Sequence, residues 1–138
     1  MTTSCYRYLL DTNILSDLIK HPDGIVAQKI ATAGIEQLCC TSLVVACELR
    51  YGACKKRSPK LTAKVEQLLE ILPVLSLEEN MDQQYGEIRT ELERRGQPIG
   101  GNDLLIAAHA LTLRMTVVTG NIREFSRVPG LAVENWLE

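Results

Sequence analysis

Three acids stand where a packed core would be expected, and they are the residues of this chain best placed to do chemistry. Asp11 directly follows the apolar run Arg7-Tyr8-Leu9-Leu10. If that run is a buried strand, Asp11 lies at its carboxyl end, the edge where open α/β sheets place their ligands. Asp is also a good N-cap for the segment that follows, so a purely structural role stays open. Glu48 has Val44, Val45, Tyr51 and Gly52 as its helical neighbours, all uncharged. A carboxylate on that stripe points towards the core or into a cleft, and burial is costly unless it is paired or binds a metal. A salt bridge to an arginine is the structural alternative. Asp103 heads a helix whose next positions on the same face are Ile106, Ala107, Ala110 and Leu111. The helix dipole favours an anion there, so capping by Asp103, shared with Asn102, also stays open.

Acids from three separate elements would repel one another in one pocket unless a cation or raised pKa values offset the charge. An all-oxygen donor set suits a hard divalent ion, Mg²⁺ or Mn²⁺, and no Cys/His set offers a zinc alternative. Such an ion supplies what phosphodiester hydrolysis needs: an activated water and neutralisation of charge on phosphate oxygens. Thr119-Gly120-Asn121 follows another strand-like run and puts Asn121 at a second strand end, with Glu124 three residues on. Gly-Asn is equally an ordinary turn sequence.

The elements that must position these residues read as an alternation of short apolar strands and helices. Strands are expected at Arg7–Leu10, Gln37–Cys40, Val74–Leu77, Thr116–Thr119 and Ala132–Glu134. Helices are expected from Thr12 to about His21, over Ile25–Ala33, Leu43–Cys54, about Leu61–Leu72, Glu79–Arg95 and Leu104–Arg114. Lys55-Lys56-Arg57-Ser58-Pro59 reads as a basic, helix-breaking turn. This alternation predicts an α/β fold with a mainly parallel sheet covered on both faces. The 138 residues, with 46% hydrophobic and only 4% aromatic side chains, predict one domain over 1–138 with an aliphatic core.

A formal net charge of −2, from 15 Lys+Arg against 17 Asp+Glu, is not the footprint of bulk nucleic-acid coating. A nucleic-acid enzyme must then use a local basic rim, or a metal, to offset its own carboxylates, and a basic protein partner is equally compatible with this balance. Arg50, Arg123 and Arg127 are the candidate phosphate contacts. Arg50 could instead neutralise a carboxylate. The five cysteines, Cys5, Cys39, Cys40, Cys47 and Cys54, are odd in number and lack a C-x-x-C spacing. They predict reduced, largely buried thiols. Without a signal-peptide stretch or an apolar run approaching ~20 residues, a cytoplasmic protein with no membrane contact is expected.

Taken together, the motifs resemble a known family. Leu10-Asp11-Thr12-Asn13, Glu48-Leu49-Arg50-Tyr51-Gly52, the run Gly101 to Ala110 and the run Val118 to Phe125 are similar, in order, to PIN domains. Specifically they resemble the VapC-type toxins of bacterial toxin–antitoxin pairs, and the tail Arg127–Leu131 with Val133–Trp136 resembles one branch of them. The resemblance implies a PIN-like three-layer α/β/α sandwich with a central, mainly parallel sheet, and a Mg²⁺- or Mn²⁺-dependent endoribonuclease. It implies Asp11, Glu48 and Asp103 as the metal-binding, catalytic acids. The family's fourth acidic position falls at Asn121, an amide, so Glu124 is the candidate to compensate. Thr12, Asn13 and Thr119 are the groups expected to fix the acids' rotamers, with a simple turn role as the alternative for Asn13 and Thr119.

The same resemblance implies a VapB-type antitoxin partner, operator DNA reached only through that antitoxin, and an RNA substrate. Initiator tRNA is the target associated with one branch. It also implies a homodimer within a larger toxin–antitoxin assembly, with Leu61, Val65, Leu68 and Leu69 as either interface or core. Two other readings are open on the residues. A catalytically weak PIN domain could bind RNA or a partner without cutting. An Asp-nucleophile phosphatase could use Asp11, although its usual second Asp would fall at Asn13.

Overall fold

The structure, a computed structural model, describes residues 6–138. Among these, five parallel strands form the sheet, in the order β3-β2-β1-β4-β5. They are β1 (Tyr8–Leu10), β2 (Cys39–Ser42), β3 (Val74–Leu75), β4 (Thr116–Val118) and β5 (Val133–Glu134). Between them run helices α1 (Thr12–Lys20), α2 (Ile25–Ala33), α3 (Leu43–Lys56), α4 (Pro59–Ile71), α5 (Met81–Arg94), α6 (Gly101–Leu113) and α7 (Ile122–Phe125). The chain steps one way from β1 to β2 to β3 and then crosses back to β4 and β5. Parallel crossovers are right-handed almost without exception, so this reversal places α1–α4 on one face and α5–α6 on the other. The packing agrees: α1 contacts α2, α3 and α4, while α5 lies along α6. The expected α/β/α architecture is therefore present.

The point of reversal lies between β1 and β4, where a doubly wound sheet opens its crevice. Both strands are completely buried at their carboxyl ends, through Leu9, Leu10, Val117 and Val118. Because α6 leads into the amino end of β4, it runs antiparallel to the sheet. Its first turn, with Asp103, therefore sits at the carboxyl edge beside Asp11 and Thr119.

Several expected boundaries shift. The strand expected at Gln37–Cys40 begins two residues later, at Cys39, because Glu36–Leu38 forms a 3-10 turn whose Leu38 carbonyl accepts from the Arg7 amide at 2.8 Å. Tyr8 then pairs with Cys39, which sets the register of the central strands. Lys55 and Lys56 belong to α3, and only Arg57, left-handed at φ 51°, breaks the helix. Ser58 then caps α4 by accepting from the Leu61 amide, with Pro59 in the first turn, where a missing N–H costs nothing. Helix α6 starts at Gly101 rather than Leu104, and the short helix α7 follows Asn121 where no element is expected from sequence.

The thiols divide differently from expectation. Cys39 and Cys40 are buried, and burial pushes their pKa values up to about 11 and about 12. Cys47 and Cys54 are exposed, because they fall on the outer side of α3; Cys5 lies outside the described residues. The apolar stripe on α4 faces the core, with Val65 buried and Leu61, Leu68 and Leu69 packed against it. Among the described residues, no helix is long and apolar enough to cross a membrane.

The carboxyl-terminal tail is tied down by Trp136, which is 3% exposed. Its ring meets Tyr8 edge-on at 5.0 Å, and its Nε1–H donates to Glu134 at 2.9 Å. Replacing Trp136 by Ala should cost about 3–5 kcal/mol, the usual penalty for emptying a large aromatic site. A denaturant midpoint unchanged from wild type would refute that anchoring role.

Candidate active site

Three of the acids named from sequence converge on the crevice between β1 and β4. Asp11 occupies the N-cap position of α1 in an extended conformation, yet its side chain makes no capping bond. Instead its carboxylate accepts from the Thr119 hydroxyl at 2.8 Å, across the switch point. Only 4% of Asp11 is exposed. Burial therefore raises its pKa, an effect opposed by the Thr119 hydroxyl and the Thr12 amide and reinforced by the charge of Glu48.

Thr119 is the hub of this corner. Fully buried, it also accepts from the Asn121 amide at 2.9 Å and meets the Asn13 side-chain amide at 3.5 Å. The Asn13 carbonyl accepts from Gly120 N at 2.7 Å, so the loops after β1 and β4 are laced together. A Cβ on Gly120 would come within 2.9 Å of Leu137 Cδ1 and 3.4 Å of Asn13 Oδ1, so a larger residue there would have to displace the end of the Leu137 side chain. Thr119→Val keeps the shape but strands the Asp11 carboxylate and the Asn121 amide. Outer hydrogen-bond partners of metal ligands typically contribute 10–100-fold in affinity. Mn²⁺ titration of Thr119→Val should show a loss in that range, and wild-type affinity would mean that Asp11 needs no such support.

Glu48 projects from α3 towards the same crevice. One carboxylate oxygen accepts from the Thr12 hydroxyl at 2.5 Å, the other from the Asn102 side chain at 3.2 Å. These bonds aim the acid from two sides. The uncharged stripe read from sequence is only partly buried, since Tyr51 is 66% exposed; Glu48 borders a cleft rather than the core. Among the described residues, no arginine pairs with it. Arg50 turns away into a bidentate ion pair with Glu66, at 2.9 and 2.7 Å. Asn102, read from sequence only as a partner in capping, is thus an orienting group for Glu48.

Asp103 carries the most displaced ionisation in the site. Its pKa is pushed up to about 7, chiefly by burial, then by a hydrogen bond shared with Glu124 and by the charges of Asp11, Glu124 and Glu48. Glu124 moves the other way, held down by its bonds to Asp103 and Asn121 and by Arg127 nearby. The proton of this pair therefore resides on Asp103. Asn121 bridges the two acids, donating from Nδ2 to Glu124 at 2.5 Å and to Asp103 at 3.4 Å. Arg127 donates to the Pro98 carbonyl at 3.0 Å, and Arg123 is exposed on α7.

The donor set is oxygen only, and its charge is partly relieved by a proton on Asp103. Among the described residues, no group of three or more acid, histidine or cysteine side chains is close enough to hold a metal ion as it stands. The acids nevertheless border one cleft from three separate elements, with Asp103 protonated chiefly because of burial, and an all-oxygen set of this kind suits a hard cation that keeps several waters. Asp11, Glu48 and Asp103 are the residues that would hold it.

Fold and site thus define a parallel-sheet domain with an acidic crevice at its topological switch point. The PIN domain family matches residues 8–131. Ribonuclease VapC2 of Rickettsia felis is 43% identical over 94% of this chain and 97% of its own length. The tRNA(fMet)-specific endonuclease VapC of Salmonella typhimurium is 36% identical over 94% and 98%. Among solved structures, VapBC2 of Rickettsia felis bound to a promoter DNA fragment superimposes with a TM-score of 0.83 at 40% identity, covering 94% of this chain and 98% of that one. DNA-bound VapBC from Salmonella typhimurium gives 0.84 at 34% identity, with 95% and 98% covered. The chain belongs to the PIN-domain family, on its VapC-type nuclease branch.

Proposed function

We propose that this protein is a Mg²⁺- or Mn²⁺-dependent endoribonuclease acting as the toxin of a VapBC-type pair in the cytoplasm. The observation that carries this is the meeting of Asp11, Glu48 and Asp103 at one crevice, with Asp103 held protonated up to about pH 7. A divalent ion held by Asp11, Glu48 and Asp103 would supply an activated water and neutralise charge developing on the phosphate. The residues divide the remaining work. Thr119 fixes Asp11, while Thr12 and Asn102 fix Glu48. One of the acids, Asp103 or Glu48, would orient or deprotonate the attacking water. Glu124, kept ionised beside Asp103, and Asn121 hold that acid in place.

The relatives named as ribonucleases and the VapBC complexes among the neighbours support RNA as substrate and a VapB-type antitoxin as partner. Operator DNA would be reached through that antitoxin, and a homodimer would organise the larger assembly. Initiator tRNA is the first substrate to try, given the Salmonella typhimurium relative.

The test uses protein purified free of any antitoxin, total RNA, and Mg²⁺, Mn²⁺ or EDTA. Wild type should cut in either metal and not in EDTA, and Asp11→Asn should be inert. Sequencing the new ends identifies the target. Equal cleavage by wild type and Asp11→Asn, or none by either, defeats the reading.

A further inference from the structure

Beside Glu48, a cavity of about 170 Å³ whose wall does not include Asp103 opens between α1, α3 and α4. Thr12 and Glu48 belong to its wall, so it is continuous with the acidic crevice. Its interior is largely apolar, with Ile19, Leu49, Leu61 and Val65 around it. Two lining residues are exposed, and both are cations: Lys20 in the last turn of α1 and Lys56 in the last turn of α3. Neither takes part in the ion pairs of the described residues, which engage Arg50, Arg89, Arg94 and Arg95. Of the arginines considered from sequence for RNA contact, Arg50 is held by Glu66 and Arg127 by the Pro98 carbonyl. Arg123, exposed on α7, and Arg127 lie on the Glu124 side of the site. On the Glu48 side, the cations outside any described ion pair are Lys20 and Lys56, and they flank an apolar slot.

Gly52 adds an independent observation. It sits inside α3, where glycine is about 1 kcal/mol less favourable than alanine. A Cβ at Gly52 would meet no atom within 4 Å, so backbone crowding does not demand glycine. What a side chain there would do is enter the cavity that Gly52 lines.

We infer that this cavity is a nucleotide subsite: it takes one unstacked base of a single-stranded RNA segment, with Lys20 and Lys56 on the flanking phosphates. The inference rests on the ribonuclease reading and says where the chain next to the cleaved bond lies. Sequence-selective RNA recognition commonly takes splayed bases from loops into such slots, with cations tracking the backbone. The size suits one ring system rather than a helix, and the cations at the mouth suit phosphates. A segment of a protein partner is the competing occupant.

Steady-state cleavage of a fluorogenic single-stranded oligoribonucleotide in Mn²⁺ tests this, with Gly52→Leu, Gly52→Ala and the Lys20→Ala/Lys56→Ala double variant. Gly52→Leu should raise KM at least about tenfold, the weight of one docked base, with kcat within about threefold of wild type. Gly52→Ala, too short to fill the slot, should change KM little and raise Tm. The lysine pair should raise KM and flatten the slope of log(kcat/KM) against log[salt] by about 1.4, at ~0.7 per lost phosphate contact. Melting curves and Mn²⁺ affinity, both expected to be retained, separate a blocked slot from a damaged fold or centre. If wild type cleaves and both Gly52→Leu and the lysine pair match its KM and salt slope, the subsite is overturned and the ribonuclease reading stands. If the variants match wild type on RNA but lose inhibition by an antitoxin, the cavity is a protein-docking surface and the subsite is again overturned. If wild type cleaves no RNA, the underlying reading falls and takes the subsite with it.

Discussion

Asp103→Asn should abolish cleavage and at the same time make the metal-free protein more stable. The loss of activity should be on the order of 10²–10⁴-fold in kcat, the weight of a positioned acid–base group, with metal affinity reduced as well. The gain in stability has a separate cause. Asp103 is a carboxyl group forced among Asp11, Glu48 and Glu124, and burial and repulsion together lift its pKa to about 7. An amide of the same shape removes the charge and can still donate to Glu124, so Tm should rise by a few degrees. The pH dependence follows from the same displacement. In the unfolded chain this acid ionises near 3.8, whereas in the fold it keeps its proton until about 7. Across that window the folded state binds more protons than the unfolded one, so stability is greatest below about pH 4 and is lost as pH rises through 7. Asp11, also raised, acts in the same direction. Glu124, lowered, acts in the opposite one, but its contribution is lost only as pH falls through the acid range. His109, fully buried with its pKa lowered, opposes this trend in the same window, so the Asp103 effect is read as the difference between wild type and Asp103→Asn. The advantage in Tm of the metal-free variant should grow from pH 5 to pH 8, and excess Mg²⁺ should raise the wild-type Tm most at pH 8. An advantage that does not grow with pH, or a less stable Asp103→Asn, contradicts the strained-acid account.

The acids were legible because each interrupts an apolar pattern, and patterns of that kind are set by burial. Asp11 after Leu9-Leu10, and Asp103 above Ile106 and Ala107, report where a strand and a helix end at the carboxyl edge. Glu48 was found for a reason that is only half right. Val44 and Val45 do face the core, but Tyr51 is exposed, so the stripe marks the rim of a cleft. The strands were harder to delimit than the helices. With two to four residues each, they hold too few positions for a period to appear, and hydrogen bonding to the neighbouring strand decides where they begin. The slip of β2 from Gln37 to Cys39 is such a case. Lys20 and Lys56 could not be linked from sequence at all. They end helices separated by two elements, and only the packing of α1 against α3 brings them to one cavity. Asn102 stood next to a recognised acid, yet its bond to Glu48 depends on how α6 approaches α3.

Asn121→Asp should exchange stability without metal for stronger binding of metal. The Asn121 amide is the only neutral polar side chain lying between Asp103 and Glu124 in the described hydrogen-bond network, and it donates to both. Changing it to a carboxylate removes two donors to charged or partly charged acceptors, worth about 1.5–3 kcal/mol for a well-formed bond. It also adds a like charge to a site that already holds Asp103 protonated. The metal-free variant should therefore melt roughly 5–10 °C below wild type, with the proton on Asp103 held still more tightly. Saturating Mn²⁺ should recover most or all of that loss, because a ligand that binds only the folded state stabilises it in proportion to its affinity. If the amide is what limits the site to one well-held ion, titration by electron paramagnetic resonance should show a higher Mn²⁺ stoichiometry in the variant. An unchanged metal-free Tm would show that Asn121 does not bridge the acids. An unchanged affinity and stoichiometry alongside a lowered Tm would instead confine Asn121 to holding Asp103 and Glu124 apart, with Asp11, Glu48 and Asp103 alone governing the metal.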